Sequence, residues 1–131
     1  MKHESLIRRL CEASEGSAEL SADVWTALTG VEHRVTRIHT DGPKMIASAG
    51  TPATFWQRRR DCITTSLSAA WAEAERRGYY PLIDTIARDG RVYTVELFLP
   101  DPNNVGAKGE AWARTPALAL CAALLAAEGE R

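Results

Sequence analysis

From Pro116 to Ala127 the chain runs PALALCAALLAA, a helix-forming stretch with no charged residue on any face. A helix that is apolar all round has to be covered all round. A small chain has little surface with which to do so. The segment therefore predicts either a helix wedged into the centre of the fold or one shared with another subunit. Thr115 as cap and Pro116 in the first turn give it a well-matched start.

Elsewhere polar and apolar residues alternate. Leu6, Ile7, Leu10 and Cys11 form one stripe of an amphipathic helix over Glu4–Ser14. A second short helix is expected over Ala22–Thr29, with Ser21 as N-cap, Val24, Trp25 and Leu28 inward, and Gly30 as its stop. Val31–Thr40 has the β-branched content of a strand, Asp41-Gly42-Pro43 is a turn, and Lys44–Ala47 suits a short returning strand. Ser48–Thr54 has no period and predicts an irregular loop. Thr64, Thr65 and Ser66 open a helix over Leu67–Arg77. Its buried face is Leu67, Ala70, Trp71 and Ala74, and Glu73 and Arg77 form an i,i+4 pair. Tyr79–Ala87 and Arg91–Leu99 form a hairpin about Asp89-Gly90, with Tyr93, Val95, Leu97 and Leu99 on one apolar face and Thr94 and Glu96 opposite. A turn-rich loop over Pro100–Gly109 leads to an extended segment, Glu110–Arg114, and the polar tail Glu128–Arg131 is expected to fray.

Tight turns between consecutive strands imply a small, largely antiparallel sheet flanked by helices. The fold class is α+β, an α/β/α layered sandwich. The 131 residues suit one domain: a helical segment over 1–30, a sheet with one helix over 31–114, and the last helix over 115–131.

Composition narrows the function. A net charge of −1 gives no global field for nucleic acid or an anionic membrane, so any basic patch has to be local. The longest apolar run falls short of the ~20 residues a membrane helix needs, and the N-terminus has no apolar core of a signal peptide. A cytoplasmic protein is expected. Cys11, Cys62 and Cys121 are odd in number and widely spaced, which suits small apolar residues rather than a disulfide framework or zinc site.

No grouping of acid, base and nucleophile stands out, and no cofactor is implied. His33, Arg37 and His39 share one side of a strand, but the two imidazoles are too far apart to hold one ion directly. The best candidate is the aromatic and basic run Phe55, Trp56, Arg58, Arg59 and Arg60. Arginine forks bind phosphates and a neighbouring ring can stack on a base. Arg34, Arg37 and Lys44 extend the patch if the strand lies beside it. Thr65, at the helix start, could add N–H and hydroxyl donors to an anion. The bland alternatives are a solvated arginine run and simple capping.

The segment from Cys62 to Trp71 (CITTSLSAAW) resembles the Y-S-T-D-x-x-x-A-W element of the phage ABA-sandwich domain family, small proteins of phages and prophages. Thr115–Leu125 resembles its closing A-T-x-P-L-A-I-C-R-A-A-L helix, and Glu19–Gly30 faintly resembles its opening helix. Cys62 or Ile63 stands in place of the family's tyrosine and Ala122 in place of an arginine. The resemblance implies a helix–sheet–helix sandwich without known catalytic residues. By association it implies a non-enzymatic accessory protein that acts by binding. The expected partner is a bacterial defence protein, such as a CRISPR effector, or its cyclic-nucleotide signal. A homo-oligomer formed through the last helix is expected, and capture of a cyclic nucleotide would require one. The alternative is a structural or regulatory phage protein with a protein partner.

Overall fold

A computed structural model describes residues 3–36, 45–48, 59–86 and 92–130 of the chain. Its elements are α1 (Glu4–Glu12), α2 (Ala18–Thr29), β1 (His33–Thr36), β2 (Met45–Ser48), β3 (Arg59–Arg60), α3 (Leu67–Arg76), β4 (Tyr80–Ile86), β5 (Val92–Phe98), β6 (Gly109–Ala113) and α4 (Pro116–Gly129). They form one small α+β domain with two antiparallel sheets, β1-β2-β3 and β4-β5-β6.

The apolar helix α4 is the centre. Every residue from Ala117 to Leu125 is buried. One side lies on β5 and β6, and α1, α2 and α3 cover the others. Its leucines, Leu118, Leu120, Leu124 and Leu125, are fully enclosed, each worth roughly 1.5–3 kcal/mol against exposure. The wedged alternative therefore holds within one chain. Oligomer formation through α4 has no exposed apolar stripe on this helix to use.

The inner face of the main sheet is shaped to receive α4. Pro81, Val95, Leu97, Ala111 and Ala113 point inward and are buried. Gly109 allows the closest approach, since a Cβ there would stand 2.1 Å from the Ala123 carbonyl oxygen. Thr115 caps α4 as expected, accepting from Leu118 N–H at 3.2 Å.

Three expectations need correction. Ser21 does not cap α2. The helix begins a turn earlier, where Ser17 accepts from Leu20 N–H at 3.0 Å, and Ser21 is buried inside it. Local sequence offers two serines as caps, and Ser21 is claimed instead by Thr64. Leu67 is exposed, because α3 turns Ala70 and Ala74 toward the core and places Leu67 at its rim. Glu128 does not fray: it continues α4 and meets Arg77 and Tyr79. The turn at 41–43, the hairpin tip at 89–90 and most of the loop at 48–54 lie outside the described residues.

Candidate functional site

The sequence directs attention first to the arginine run. Arg37, Phe55, Trp56 and Arg58 lie outside the described residues. Arg59 and Arg60 form β3, paired with Ala47 and Ile46 of β2. Arg60 is half-buried, with its guanidinium carbon 4.7 Å from the centroid of the Trp25 ring. Trp25 in turn donates Nε1–H to the Asp61 carbonyl at 2.9 Å and stacks on His33 with centroids 6.3 Å apart. This cation–π contact ties the small sheet to α2. Arg34 is exposed and held by Glu32 at 2.9 Å, so its charge is already matched.

His33 is buried at the edge of this stack. Its Nδ1 lies 2.7 Å from the Val31 carbonyl oxygen, and its Nε2 has no hydrogen-bond partner among the described residues. Burial pushes the imidazole below its ordinary pKa, and the nearby Arg60 charge acts in the same direction against the Val31 hydrogen bond. His39 and Asp41 lie outside the described residues.

The hydroxyl cluster before α3 divides its roles. Thr64 is buried: its Oγ1 donates to the Ser17 carbonyl at 2.8 Å, accepts from Ser17 N–H at 3.1 Å and lies 2.7 Å from Ser21 Oγ. Ser66 is the true cap of α3, accepting from Ala69 N–H at 3.2 Å. Thr65 is exposed and donates Oγ1–H to the Cys62 carbonyl at 2.9 Å. The starts of α3 and α4 open on a shared shallow depression lined by Thr65, Leu67, Thr115 and Pro116, but Glu15 lines it too. A carboxylate there opposes an anion.

On the far side of the molecule Arg77 organises a buried charge network. It donates to Glu73 at 2.8 Å, to Glu128 at 2.7 Å and to the Leu28 carbonyl at 3.2 Å, while Arg76 also holds Glu73. Burial raises the Glu73 carboxyl, but its hydrogen bonds from Arg76 and Arg77 outweigh that and keep it below the usual carboxylate value. The network joins α2, α3 and α4, and it is architectural.

The surface that stands apart is the outer face of β4-β5-β6. No described helix covers it. Cross-strand registers arrange it in rows: Tyr80 beside Phe98, then Leu82–Glu96–Glu110, then Asp84–Thr94–Trp112. Tyr80 and Phe98 stack with centroids 5.7 Å apart. Exposure is 52% for Tyr80, 53% for Leu82 and 62% for Trp112, large values for such side chains inside a regular sheet. The loop after β5 adds Val105, 78% exposed, across a groove of about 460 Å³ that reaches Pro100 and Pro102. Apolar groups gathered in this way mark interaction surfaces more than scattered ones do.

Sequence reasoning does not select these residues. The signal is nevertheless there: the alternation that sends Val95 and Leu97 inward sends Phe98 outward, and the same parity exposes Tyr80, Leu82 and Trp112. A strand apolar on both faces is the clue.

Comparison with protein-family models finds no matching family. Searches of curated proteins and of solved structures likewise find no match.

Proposed function

We infer that this chain is a non-enzymatic binding protein, that its working surface is the outer face of β4-β5-β6, and that its partner is a protein. The observation that carries this reading is the exposed Tyr80, Leu82 and Trp112 on the sheet, with the half-buried Phe98 beside Tyr80 and the exposed Val105 on the adjoining loop. Aromatic side chains lose little conformational freedom on docking and bury large areas, which suits them to anchor an interface.

The described reactive groups favour binding over catalysis. Cys11, Cys62 and Cys121 are all held as thiols, each chiefly by burial. His33 is enclosed against Trp25 rather than presented to a substrate. Arg60 lies over Trp25 and Thr65 turns back on Cys62, so neither reaches freely for a phosphate.

The resemblance to the phage ABA-sandwich family suggests the setting. In this reading the partner is a bacterial defence protein, and the chain inhibits it by covering a working surface. The sponge alternative, capture of a cyclic nucleotide by Phe55, Trp56 and Arg58, draws on residues outside the described ones. A structural or regulatory phage role would use the same outer face.

The test is expression of the chain in bacteria carrying a CRISPR or nucleotide-signalling defence, scored by recovery of phage plaques. Recovery by the parent chain that is lost in Leu82→Ser/Trp112→Ser, with thermal unfolding unchanged, supports the proposal. Recovery that survives this double substitution but fails in Arg58→Ala/Arg59→Ala would move the site to the arginine run.

A further inference from the structure

The geometry points to the chemistry of the partner: a polypeptide segment that presents lysine or arginine among apolar side chains. This rests on the reading of the outer sheet face as the working surface, and it adds the sign of the partner's charge.

Strands β4, β5 and β6 contain three charged residues, Asp84, Glu96 and Glu110, and all are acidic. The register places all three on the outer face with Tyr80, Leu82, Phe98 and Trp112, and none on the face toward α4. Glu96 and Glu110 are direct cross-strand neighbours. Like charges in that relation repel. Among the described residues no arginine or lysine is paired with either. Two cations share this alternation along β6: Lys108, just before the strand, whose Nζ donates to Asn104 Oδ1 and which lines a depression with Tyr79, Leu99 and Ala127, and Arg114, one residue past its end, beyond Trp112. A cation seated between Glu96 and Glu110 would relieve their repulsion, while apolar groups beside it would cover Leu82 and Trp112.

Both sheet edges are partly blocked to strand addition, which leaves the face as the wider surface for docking. On β4 the outward-directed amides alternate through residues 81, 83 and 85. Pro81 has no N–H, and Thr85 N–H is held by Asp84 Oδ1 at 2.8 Å. Among the described residues Ile83 remains to donate, which is the pattern of a partly protected edge. Along β6, α1 packs against the strand. Three strands about 4.8 Å apart give a surface roughly 10 Å wide, the width of one helix. One amphipathic segment would fill it. The same carboxylates repel nucleic acid and anionic lipid, so charge selects a basic polypeptide over either.

The test is selection of an mRNA-displayed library of random 16-residue peptides on the purified full chain. Enriched peptides are then titrated by fluorescence anisotropy on the parent, on Trp112→Ser and on Glu96→Gln/Glu110→Gln. All three substituted side chains lie on the open face, and thermal unfolding confirms that the variants are folded. The expected result is enrichment of lysine or arginine together with aromatic and aliphatic residues. Binding should weaken at least ten-fold in each variant, and the Glu96→Gln/Glu110→Gln effect should shrink when salt rises from about 0.05 to 0.5 M. Neutral or acidic winners that still depend on Trp112 overturn the basic partner and leave the face reading standing. Winners insensitive to Trp112→Ser, or no enrichment at all, overturn both. A dimer in sedimentation equilibrium that Trp112→Ser dissolves assigns the face to a second copy and also overturns the proposal.

Discussion

Gly109 and Ala123 meet backbone to backbone. A Cβ on Gly109 would stand 2.1 Å from the Ala123 carbonyl oxygen and 2.8 Å from the Ala127 Cβ. This contact lets α4 settle onto β6, and the rest of the fold is arranged around that helix.

Gly109→Ala should therefore destabilise the chain by about 1–3 kcal/mol, the usual range for overpacking. Gly106 has open space around it, and Gly106→Ala should change stability by no more than about 0.5 kcal/mol. Urea denaturation of the pair measures both. Equal midpoints would mean that the sheet and helix can separate at no cost.

Leu124 is fully enclosed. Leu124→Glu should cost several kcal/mol, on the order of 3 or more, since it buries a carboxylate without a partner. Circular dichroism melting is the check. An unchanged melting temperature would place α4 on the surface.

Arg77 is the cation common to Glu73 and Glu128. Arg77→Leu should lower stability by about 1.5–3 kcal/mol, because it removes the shared cation from two enclosed carboxylates, of which Glu73 keeps Arg76 and Glu128 keeps Tyr79. The exposed Arg8–Glu4 pair is a natural control, and Arg8→Ala should shift stability by less than about 0.5 kcal/mol. The sign of the pH effect follows from the lowered Glu73 value. Its stabilisation is complete above the ordinary carboxylate value of 4.5 and is lost as pH falls through the folded-state value. Glu73→Gln should flatten that acid limb of the stability curve.

His33 gives a second pH signature. Its folded-state pKa lies below the ordinary 6.5. The unfolded chain therefore takes up the proton first, and stability is full above pH 6.5 and declines below it. His33→Phe keeps a ring against Trp25 and removes the titration. Denaturation midpoints should fall as the pH drops below 6.5 in the parent and stay level there in the variant. Parallel slopes would show that another group titrates there.

The Trp25–Arg60 contact predicts that Arg60 acts on stability. Arg60→Ala should cost about 0.5–1 kcal/mol through the lost cation–π contact. A double-mutant cycle with Trp25→Leu isolates it. A coupling energy of zero would return Arg60 to the solvated, ligand-facing role expected from its sequence context.

Much of the fold is local information. Thr115 with Pro116 starts α4, Gly30 at φ 73° stops α2, and the period of Tyr93, Val95 and Leu97 orients β5. Each follows from the backbone preferences of a few neighbouring residues, so the chain states them directly. The uncharged run from Pro116 to Ala127 also demanded complete cover, whatever supplied it.

Only the tertiary structure decided what covers what. Ser21 is as good a local cap as Ser17, and what separates them is Thr64, distant in the chain, which engages Ser21 Oγ. Glu128 belongs to a polar tail in sequence, yet Arg77 draws it into the helix. Arg60 sits in a basic run, and the pairing of β3 with β2 brings it over Trp25. The outer sheet face depends on the most distant choice of all. Alternation divides β4, β5 and β6 into two faces, but which face receives α4 is settled by Gly109, Ala111 and Ala113, whose small size admits a helix where Glu110 and Trp112 would not. Packing against one face leaves Tyr80, Leu82, Phe98 and Trp112 on the other, and that asymmetry of side-chain volume is a property of the assembled sheet rather than of any one strand.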